Sequence, residues 1–276
     1  MGTSLQDNEL SVKDLFNLVA DGYDDPSMRF FPFVADSLVY KLKPPPGSKL
    51  LDVSTGTGAV AIAAGQLVGV SGRVHAIDIA EKMLDRVQVH ADKMKLQNID
   101  LHEMDACRLD FKPDYFDYVA CSFGLFFLPD MQAALQGFLR VLKPGGKLAF
   151  TSFGSNAFMP LIERFRERMM QYDVEIESPA VDRLKDAEIC RGLLEEAGAV
   201  EVECQEKQCG HHLNNADNWW DVVWNSGLRR YMEQLEPQQQ VEFKKEHLAE
   251  ISELKTDKGI WMDIQTNFTI GIKPEK

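Results

Sequence analysis

The chain has 276 residues, 45% of them hydrophobic and 26% charged, which is typical of a globular protein with one large domain or a core and a cap. Its net charge of −13 argues against DNA, RNA or an anionic membrane surface as a partner, because such binding requires neutralised phosphates. No apolar run approaches the roughly 18 residues of a membrane span, and the polar start MGTSLQDNELSVKD is not expected to be a secretory signal. Five cysteines without a CxxC spacing favour reduced thiols in a cytoplasmic protein and no metal site.

The first 46 residues carry apolar side chains at helical spacing, interrupted by Asp25-Pro26, and so predict short helices. They end in the proline cluster KPPPGSK, which cannot continue a helix and marks the entry to the main domain.

Strands and helices alternate from residue 47 onward. The predicted strands are residues 49–54, 73–79, 98–106, 116–123 and 146–153. The helical segments between them include TGAVAIAAGQLV, AEKMLDRVQVHADKMKL and DMQAALQGFLRVL, the last ended by Lys143-Pro144-Gly145-Gly146. Strands that alternate with helices at this spacing predict an α/β fold with a parallel, doubly wound sheet.

The second half continues with a helix, AEICRGLLEEAGA, and an alternating strand, VEVECQEKQ. Two more helical stretches follow, around DNWWDVVWNSGLRRYMEQL and PQQQVEFKKEHLAEISEL, and DIQTNFTIGIK is a closing strand. We therefore predict an N-terminal helical segment over residues 1–46, a ligand-binding core over 47–210, a helical cap insertion over 211–260 and a final core strand over 261–276.

The turn after the first strand, LLDVSTGTG, is the first candidate site, because ligands of doubly wound sheets bind at the carboxyl ends of the strands. Gly56 and Gly58 allow the backbone to approach a ligand closely, and Asp52 is placed for a polar or cationic group. Gly56, Gly58 and Ala61 also satisfy Gly-x-Gly-x-x-Ala, which would suit a dinucleotide. A loop that only turns the chain is the structural alternative.

Two further acids follow neighbouring strands. Asp78 ends the second strand about 20 residues after Gly58, where a carboxylate can accept both hydroxyls of a ribose. It could instead cap the helix that begins near Ala80. Asp105 ends the third strand and could bind an adenine amino group. Three acids at successive strand ends suit ribose, adenine and a positive centre, and they suit a pyrophosphate poorly.

Residues 10–155 resemble class I S-adenosylmethionine-dependent methyltransferases, in particular the ubiquinone/menaquinone-biosynthesis C-methyltransferase-like group. The matching pieces are LLDVSTGTG, HAIDIAEKML, MDACRLDF, FDYVACSFGLFFLPD and RVLKPGGKLAF. The resemblance implies a Rossmann-like seven-stranded sheet with its last strand antiparallel, a lid formed by residues 1–46, and S-adenosyl-L-methionine as cofactor. The cofactor-binding residues that it implies are Asp52, Ser54, Thr55, Gly56, Thr57, Gly58, Asp78, Ile79, Met83, Asp105, Ala106, Ser122 and Phe123. Ser54 departs from the family, which often has glycine or alanine there.

Candidates for catalysis are fewer, because in-line methyl transfer mainly requires alignment and exclusion of water. On the resemblance, Tyr23 of the lid lies nearest the reacting centre, unless it only packs the lid onto the core. His211 or His212 could act as a general base, although such a pair is more often packed or solvated.

The expected methyl acceptor is a small, partly apolar or aromatic metabolite. The candidate acceptor-pocket residues are Tyr23, Phe30, Phe126, Phe127, Trp219, Trp220 and Trp224, and Phe31, Phe33 and Phe123 are placed nearby. As the alternative, two of the tryptophans are ordinary core of the cap.

Two other functions stay open at this point. An NAD(P)-dependent oxidoreductase of the short-chain type should carry Tyr-x-x-x-Lys, and no tyrosine here has a lysine four residues on. The second open function is that of a protein that binds S-adenosylmethionine without transferring its methyl group. The sequence leaves open the acceptor, the atom methylated and the oligomeric state, a homo-oligomer included.

Overall fold

The computed structural model describes residues 10–176 and 179–275. Residues 1–9 of the predicted lid, residues 177–178 of the predicted core and the last residue of the predicted final strand lie outside the described residues.

A twisted sheet of parallel and antiparallel strands forms the centre of the molecule. The strands are β1 (Lys49–Val53), β2 (Arg73–Asp78), β3 (Ile99–Glu103), β4 (Phe116–Ser122), β5 (Leu142–Phe153), β6 (Val200–Gln208), β7 (His211–Leu213), β8 (Ile260–Met262) and β9 (Gln265–Ile272). Seven of them form one sheet in the order β3-β2-β1-β4-β5-β9-β6. Strands β1 to β5 pair in parallel, and β9 is antiparallel to both β5 and β6. This arrangement confirms the predicted fold class.

Helices cover both faces of the sheet. They are α1 (Val12–Val19), α2 (Phe30–Leu42), α3 (Ala59–Val68), α4 (Glu81–Met94), α5 (Met131–Val141), α6 (Leu161–Met170), α7 (Ala187–Glu196), α8 (Ala216–Trp224), α9 (Arg229–Met232) and α10 (Pro237–Ser252). The central strand β1 is covered on both sides, and its residues Leu50, Leu51 and Val53 are fully buried, whereas the edge strand β3 (IDLHE) has no fully buried residue. The burial of Leu50, Leu51 and Val53 holds β1 in place, and the polar turn that follows it therefore has a defined position at the edge of the sheet.

The proline–glycine segment at residues 143–146 differs from the prediction. It does not separate a helix from a strand, since β5 begins at Leu142 directly after α5. The pairing of β5 with β4 shifts register at this point, and Gly145 has a φ of 75°, so the segment is an irregularity within the strand.

The segment between β7 and β8 contains α8, α9 and α10. The sequence did not predict the short antiparallel pair β7–β8, in which His212 lies opposite Trp261. This pair brings the two ends of the segment together beside the sheet. Across residues 10–176 and 179–275, no helix has the length and apolar character that crossing a membrane requires.

Candidate functional site

The turn after β1 reverses direction through three residues with positive φ, the last of which is Gly58. Ser54 has a φ of 54° and Gly56 a φ of 56°. A serine in this region carries strain of order 1–3 kcal/mol, which explains why glycine suits this position. A Cβ on Gly124 would lie 2.6 Å from that of Ser54, so the side chain at residue 54 requires a glycine at residue 124.

Asp52, the acid that precedes this turn, is deeply buried, with 1% of its surface exposed. The Thr55 hydroxyl donates a hydrogen bond to its carboxylate at 2.6 Å. Burial raises the pKa of Asp52 to about 7, and the nearby Asp78 carboxylate also raises it, while the Thr55 hydroxyl and the Ala61 amide partly lower it. In the described part of the chain, Asp52 and Asp78 form no ion pair. A cation bound beside Asp52 would therefore find an uncompensated carboxylate.

Asp78 connects the end of β2 to the glycine turn. Its two carboxylate oxygens accept hydrogen bonds from the backbone amides of Gly56, at 2.9 Å, and of Ala80, at 3.0 Å. Ala80 is the N-cap residue of α4, which begins at Glu81, so the bond to its amide precedes the helix and is not the capping interaction considered from the sequence. Burial nevertheless raises the pKa of Asp78, because these amides compensate only part of its desolvation.

Asp52, Asp78 and Asp105 line one cavity of about 540 Å³ at the carboxyl ends of the strands, which we call the acidic cavity. Asp130 is the fourth carboxylate, and among the described lining residues there is no lysine or arginine. The acidic cavity brings together these predicted cofactor residues: Asp52, Ser54, Thr55, Gly56, Thr57, Asp78, Ile79, Asp105, Ala106, Ser122 and Phe123.

Two of the predicted cofactor residues lie elsewhere. A Cβ on Gly58, whose φ is 92°, would lie 2.7 Å from a methyl group of Val87, so this glycine permits contact between α3 and α4 rather than contact with a ligand. Met83 is fully buried in a small cluster beneath α1. Neither lines the acidic cavity.

The segment between α1 and α2 closes over the acidic cavity. Tyr23 lines the cavity, and burial together with the Asp78 and Asp24 carboxylates raises the pKa of its phenol, which keeps it neutral. The next residue, Asp24, accepts hydrogen bonds from Arg86 at 3.0 Å and 3.2 Å and lies 3.3 Å from Nε2 of His90. Nδ1 of His90 donates to the Thr57 carbonyl at 3.0 Å. These contacts hold the segment against α4 and the glycine turn.

A second cavity, of about 170 Å³, adjoins the first, and we call it the aromatic cavity. The residues shared by the two cavities are Phe16, Tyr23, Phe31, Phe123 and Phe127. The predicted residues Phe30 and Phe126 line the aromatic cavity, as do Phe153 and Phe158. No sequence pattern marked Phe16, Phe153 and Phe158, because a phenylalanine of the core and one of a pocket cannot be distinguished from the sequence.

The three tryptophans are not brought to this site. Nε1 of the fully buried Trp219 donates to His247 at 2.8 Å, and Trp220 stacks on Trp224 with ring centroids 5.6 Å apart. Arg229 lies over the Trp224 ring. All three pack within α8 and its neighbours and, in the chain as described, line neither cavity. Trp219 and Trp220 contact His247 and Phe243 of α10, so these two belong to the core of the cap, as the alternative for two of the tryptophans proposed.

His211 and His212 are also placed away from both cavities. Nε2 of His211 donates to the Ser27 carbonyl at 3.2 Å, and burial lowers its pKa to about 4. His212 packs against Trp261. Phe33, placed near the acceptor by the sequence, is 48% exposed with Lys207 over its ring. The geometry therefore offers no histidine base among the described lining residues.

The acidic cavity fits the predicted cofactor. S-adenosylmethionine presents ribose hydroxyls, an adenine and a sulfonium cation. The cavity presents Asp52 and Asp78, which make no ion pair among the described residues, and Asp105, which pairs with Arg108 at 3.3 Å. It also presents a cradle at Gly56, where a Cβ would find only Tyr23, at 3.8 Å. A doubly wound sheet with an antiparallel β9 and this cavity at its rim define the class of S-adenosylmethionine-dependent methyltransferases.

Comparison with known proteins supports the assignment to S-adenosylmethionine-dependent methyltransferases. A sequence profile of the ubiE/COQ5 methyltransferase family matches residues 3–214, and the chain belongs to this family. The nocamycin O-methyltransferase of Saccharothrix syringae is 30% identical over 236 residues, which cover 81% of this chain and 84% of that relative. The aklanonic acid methyltransferase DauC of Streptomyces sp. (strain C5) is 36% identical over 153 residues, or 54% of this chain and 70% of that relative.

Among solved structures, phosphoethanolamine N-methyltransferase 2 of Haemonchus contortus, in complex with S-adenosyl-L-methionine, superposes with a TM-score of 0.59. It covers 97% of this chain and 61% of its own at 19% identity, which supports the fold alone. The protein is thus an enzyme, a methyltransferase that uses S-adenosyl-L-methionine. The oxidoreductase and the non-catalytic binder are set aside.

Proposed function

We propose that this enzyme transfers a methyl group to a small, largely planar aromatic metabolite held in the aromatic cavity. The observation that carries the proposal is the junction of the two cavities at Phe16, Tyr23, Phe31, Phe123 and Phe127. A ligand in one cavity would meet a ligand in the other at these rings. The named activities of the nocamycin and aklanonic acid relatives, both methyltransferases of small molecules, support a small-molecule acceptor.

Bound S-adenosylmethionine supplies an electrophilic methyl group on a cationic sulfur. We propose that Asp52 faces that positive charge, that Asp78 binds the ribose and that Asp105 meets the adenine edge. Ile79, Ala106, Ser122 and the glycine turn would complete the binding surface. These roles follow from the shared cavity and from the chemistry of carboxylates as acceptors.

Tyr23 serves in this proposal as a hydrogen-bond donor that orients the acceptor. Its phenol is neutral, because burial and two nearby carboxylates oppose ionisation, so it is a poor base at neutral pH. The aromatic rings at the junction exclude water from the reacting atoms, which is the main requirement of an in-line displacement. The acceptor would accordingly bring a nucleophile that ionises without help from a protein base.

The size of the aromatic cavity provides a test. Ala180 lines this cavity and does not line the acidic one, so Ala180→Phe should fill acceptor space and leave the cofactor site intact. With labelled S-adenosylmethionine and a panel of hydroxylated naphthalenes and anthraquinones, we expect the wild type to methylate at least one compound. The variant should lose about tenfold or more in kcat/KM toward it, with unchanged affinity for S-adenosylhomocysteine.

Ala187→Phe, at the start of α7 and outside both cavities, is the matched control. Methylation of small aliphatic amines alone, or equal activity of Ala180→Phe and wild type on aromatic compounds, would refute the proposed acceptor class.

The acidic net charge and scattered thiols further support a cytoplasmic enzyme without a nucleic-acid partner.

A further inference from the structure

The charged side chains around the aromatic cavity are mostly basic. Arg166, Lys185 and Arg230 line it, and Asp182 is the single carboxylate among its described lining residues. This is unusual in a chain with a net charge of −13. The cations come from α6, from the residue after the 3₁₀ helix Ala180–Leu184, and from α9.

These cations are poorly neutralised by the protein. Asp182 lies 3.6 Å from one terminal nitrogen of Arg166, while Nε of Arg166 is buried without a hydrogen-bond partner among the described residues. Over the same residues, the Lys185 ammonium has neither an ion pair nor a hydrogen bond, and Arg230 makes only a long bond, 3.4 Å, to the Leu10 carbonyl. A buried N–H without an acceptor is costly, and a ligand that supplies one recovers that cost.

We infer that the methyl acceptor carries an anionic group, such as a carboxylate, which Arg166 binds with help from Lys185 and Arg230. The inference rests on the proposed aromatic acceptor and narrows it to an aromatic acid. A guanidinium is well suited to this task, because its planar fork matches the geometry of a carboxylate.

The three cations lie away from the junction of the two cavities, where the methyl group would be transferred, so the anionic group of the acceptor would also lie away from it. None of the three lines the acidic cavity, and none belongs to the rings at which the cavities meet. The acid group therefore serves for recognition, and the methyl group is transferred to another atom of the acceptor.

A pair of probes with one shape and different charge tests this directly. We would measure the binding of 2-naphthoate and of 2-naphthamide by calorimetry, with the enzyme saturated with S-adenosylhomocysteine. The wild type should bind the naphthoate about tenfold more tightly, and Arg166→Gln should abolish that preference while keeping its affinity for the amide. Arg164→Gln is the matched control, since Arg164 lies on the same helix, pairs with Glu167 and lines neither cavity.

Each other outcome has a definite meaning. Equal binding of the two probes to wild type, or a preference that survives in Arg166→Gln, would overturn the proposed binding of an anionic acceptor by Arg166 and leave the aromatic cavity as proposed. If neither probe binds while S-adenosylhomocysteine does, the proposed aromatic acceptor itself fails, and the narrower inference fails with it.

Discussion

The two adjoining cavities are of opposite charge. The acidic cavity has four carboxylates and, among the described lining residues, no basic side chain, whereas the aromatic cavity has three cations and one carboxylate. The difference follows from where each wall comes from. Asp52 and Asp78 lie at the carboxyl ends of β1 and β2, Asp105 follows β3 and Asp130 caps α5, while the cations are on or beside helices outside the sheet. The rim of the sheet thus suits a cationic cofactor, and the helices suit an anionic acceptor.

The largest expected effect is the loss of Asp78 from the acidic cavity. Asp78→Ala removes the proposed ribose acceptor and leaves the amides of Gly56 and Ala80 without their partner. We expect S-adenosylmethionine to bind about 30-fold more weakly, equivalent to about 2 kcal/mol. Calorimetry beside Asp85→Ala, an exposed acid of α4, would measure it. Affinity equal to that of the control would remove Asp78 from the cofactor site.

A second effect concerns the charge of Asp52. Its pKa is raised to about 7, so below that pH the ligand-free protein holds a proton that a cationic ligand must displace. Affinity for S-adenosylmethionine should therefore rise about tenfold from about pH 6 to about pH 8, and affinity for the neutral sulfur of S-adenosylhomocysteine should change much less. Asp52→Asn should flatten the difference. Identical pH profiles for the two ligands would show that Asp52 does not face the sulfur.

The smallest expected effect lies in the segment that closes both cavities. Asp24→Asn weakens the contacts to Arg86 and His90, which are partly exposed, so each contributes about 1 kcal/mol or less. Because the neighbouring Tyr23 lines both cavities, affinities for S-adenosylhomocysteine and 2-naphthoate should fall together, by about threefold to fivefold. Asp21→Asn, an exposed acid two residues before Tyr23, is the comparison. A change in one ligand alone would mean that the segment does not close the two cavities as a unit.

The lining of the acidic cavity was largely predictable, because many of its residues lie at or just after the ends of strands. Asp52, Asp78 and Asp105 follow from the alternation of strands and helices, since parallel strands bring their carboxyl ends to one edge. Gly58 and Met83, which the resemblance implied, do not line the acidic cavity, and the reason is physical. The spacing shows that Gly58 is a glycine in a turn, but only the packing of α3 on α4 shows that Val87 occupies the space a Cβ would need.

The lining of the aromatic cavity was predictable only in part. Phe126 and Phe127 follow β4 and could be placed, but Trp219 was expected in the pocket and instead donates to His247 inside the core. An aromatic side chain is buried for the same free energy in either place, so its identity does not decide between them. Arg166 and Arg230 were missed because they belong to different helices with no shared sequence pattern.

The sequence by itself determined the doubly wound sheet, the turn after β1 and the row of acids. The sheet follows from local periodicity, and the turn and each acid are identified by their position at the end of a strand. Only the tertiary structure decided which rings form the junction of the two cavities and which cations surround the aromatic one. Those residues come from distant segments, and their mutual position depends on how the helices pack on the sheet, which no local pattern encodes.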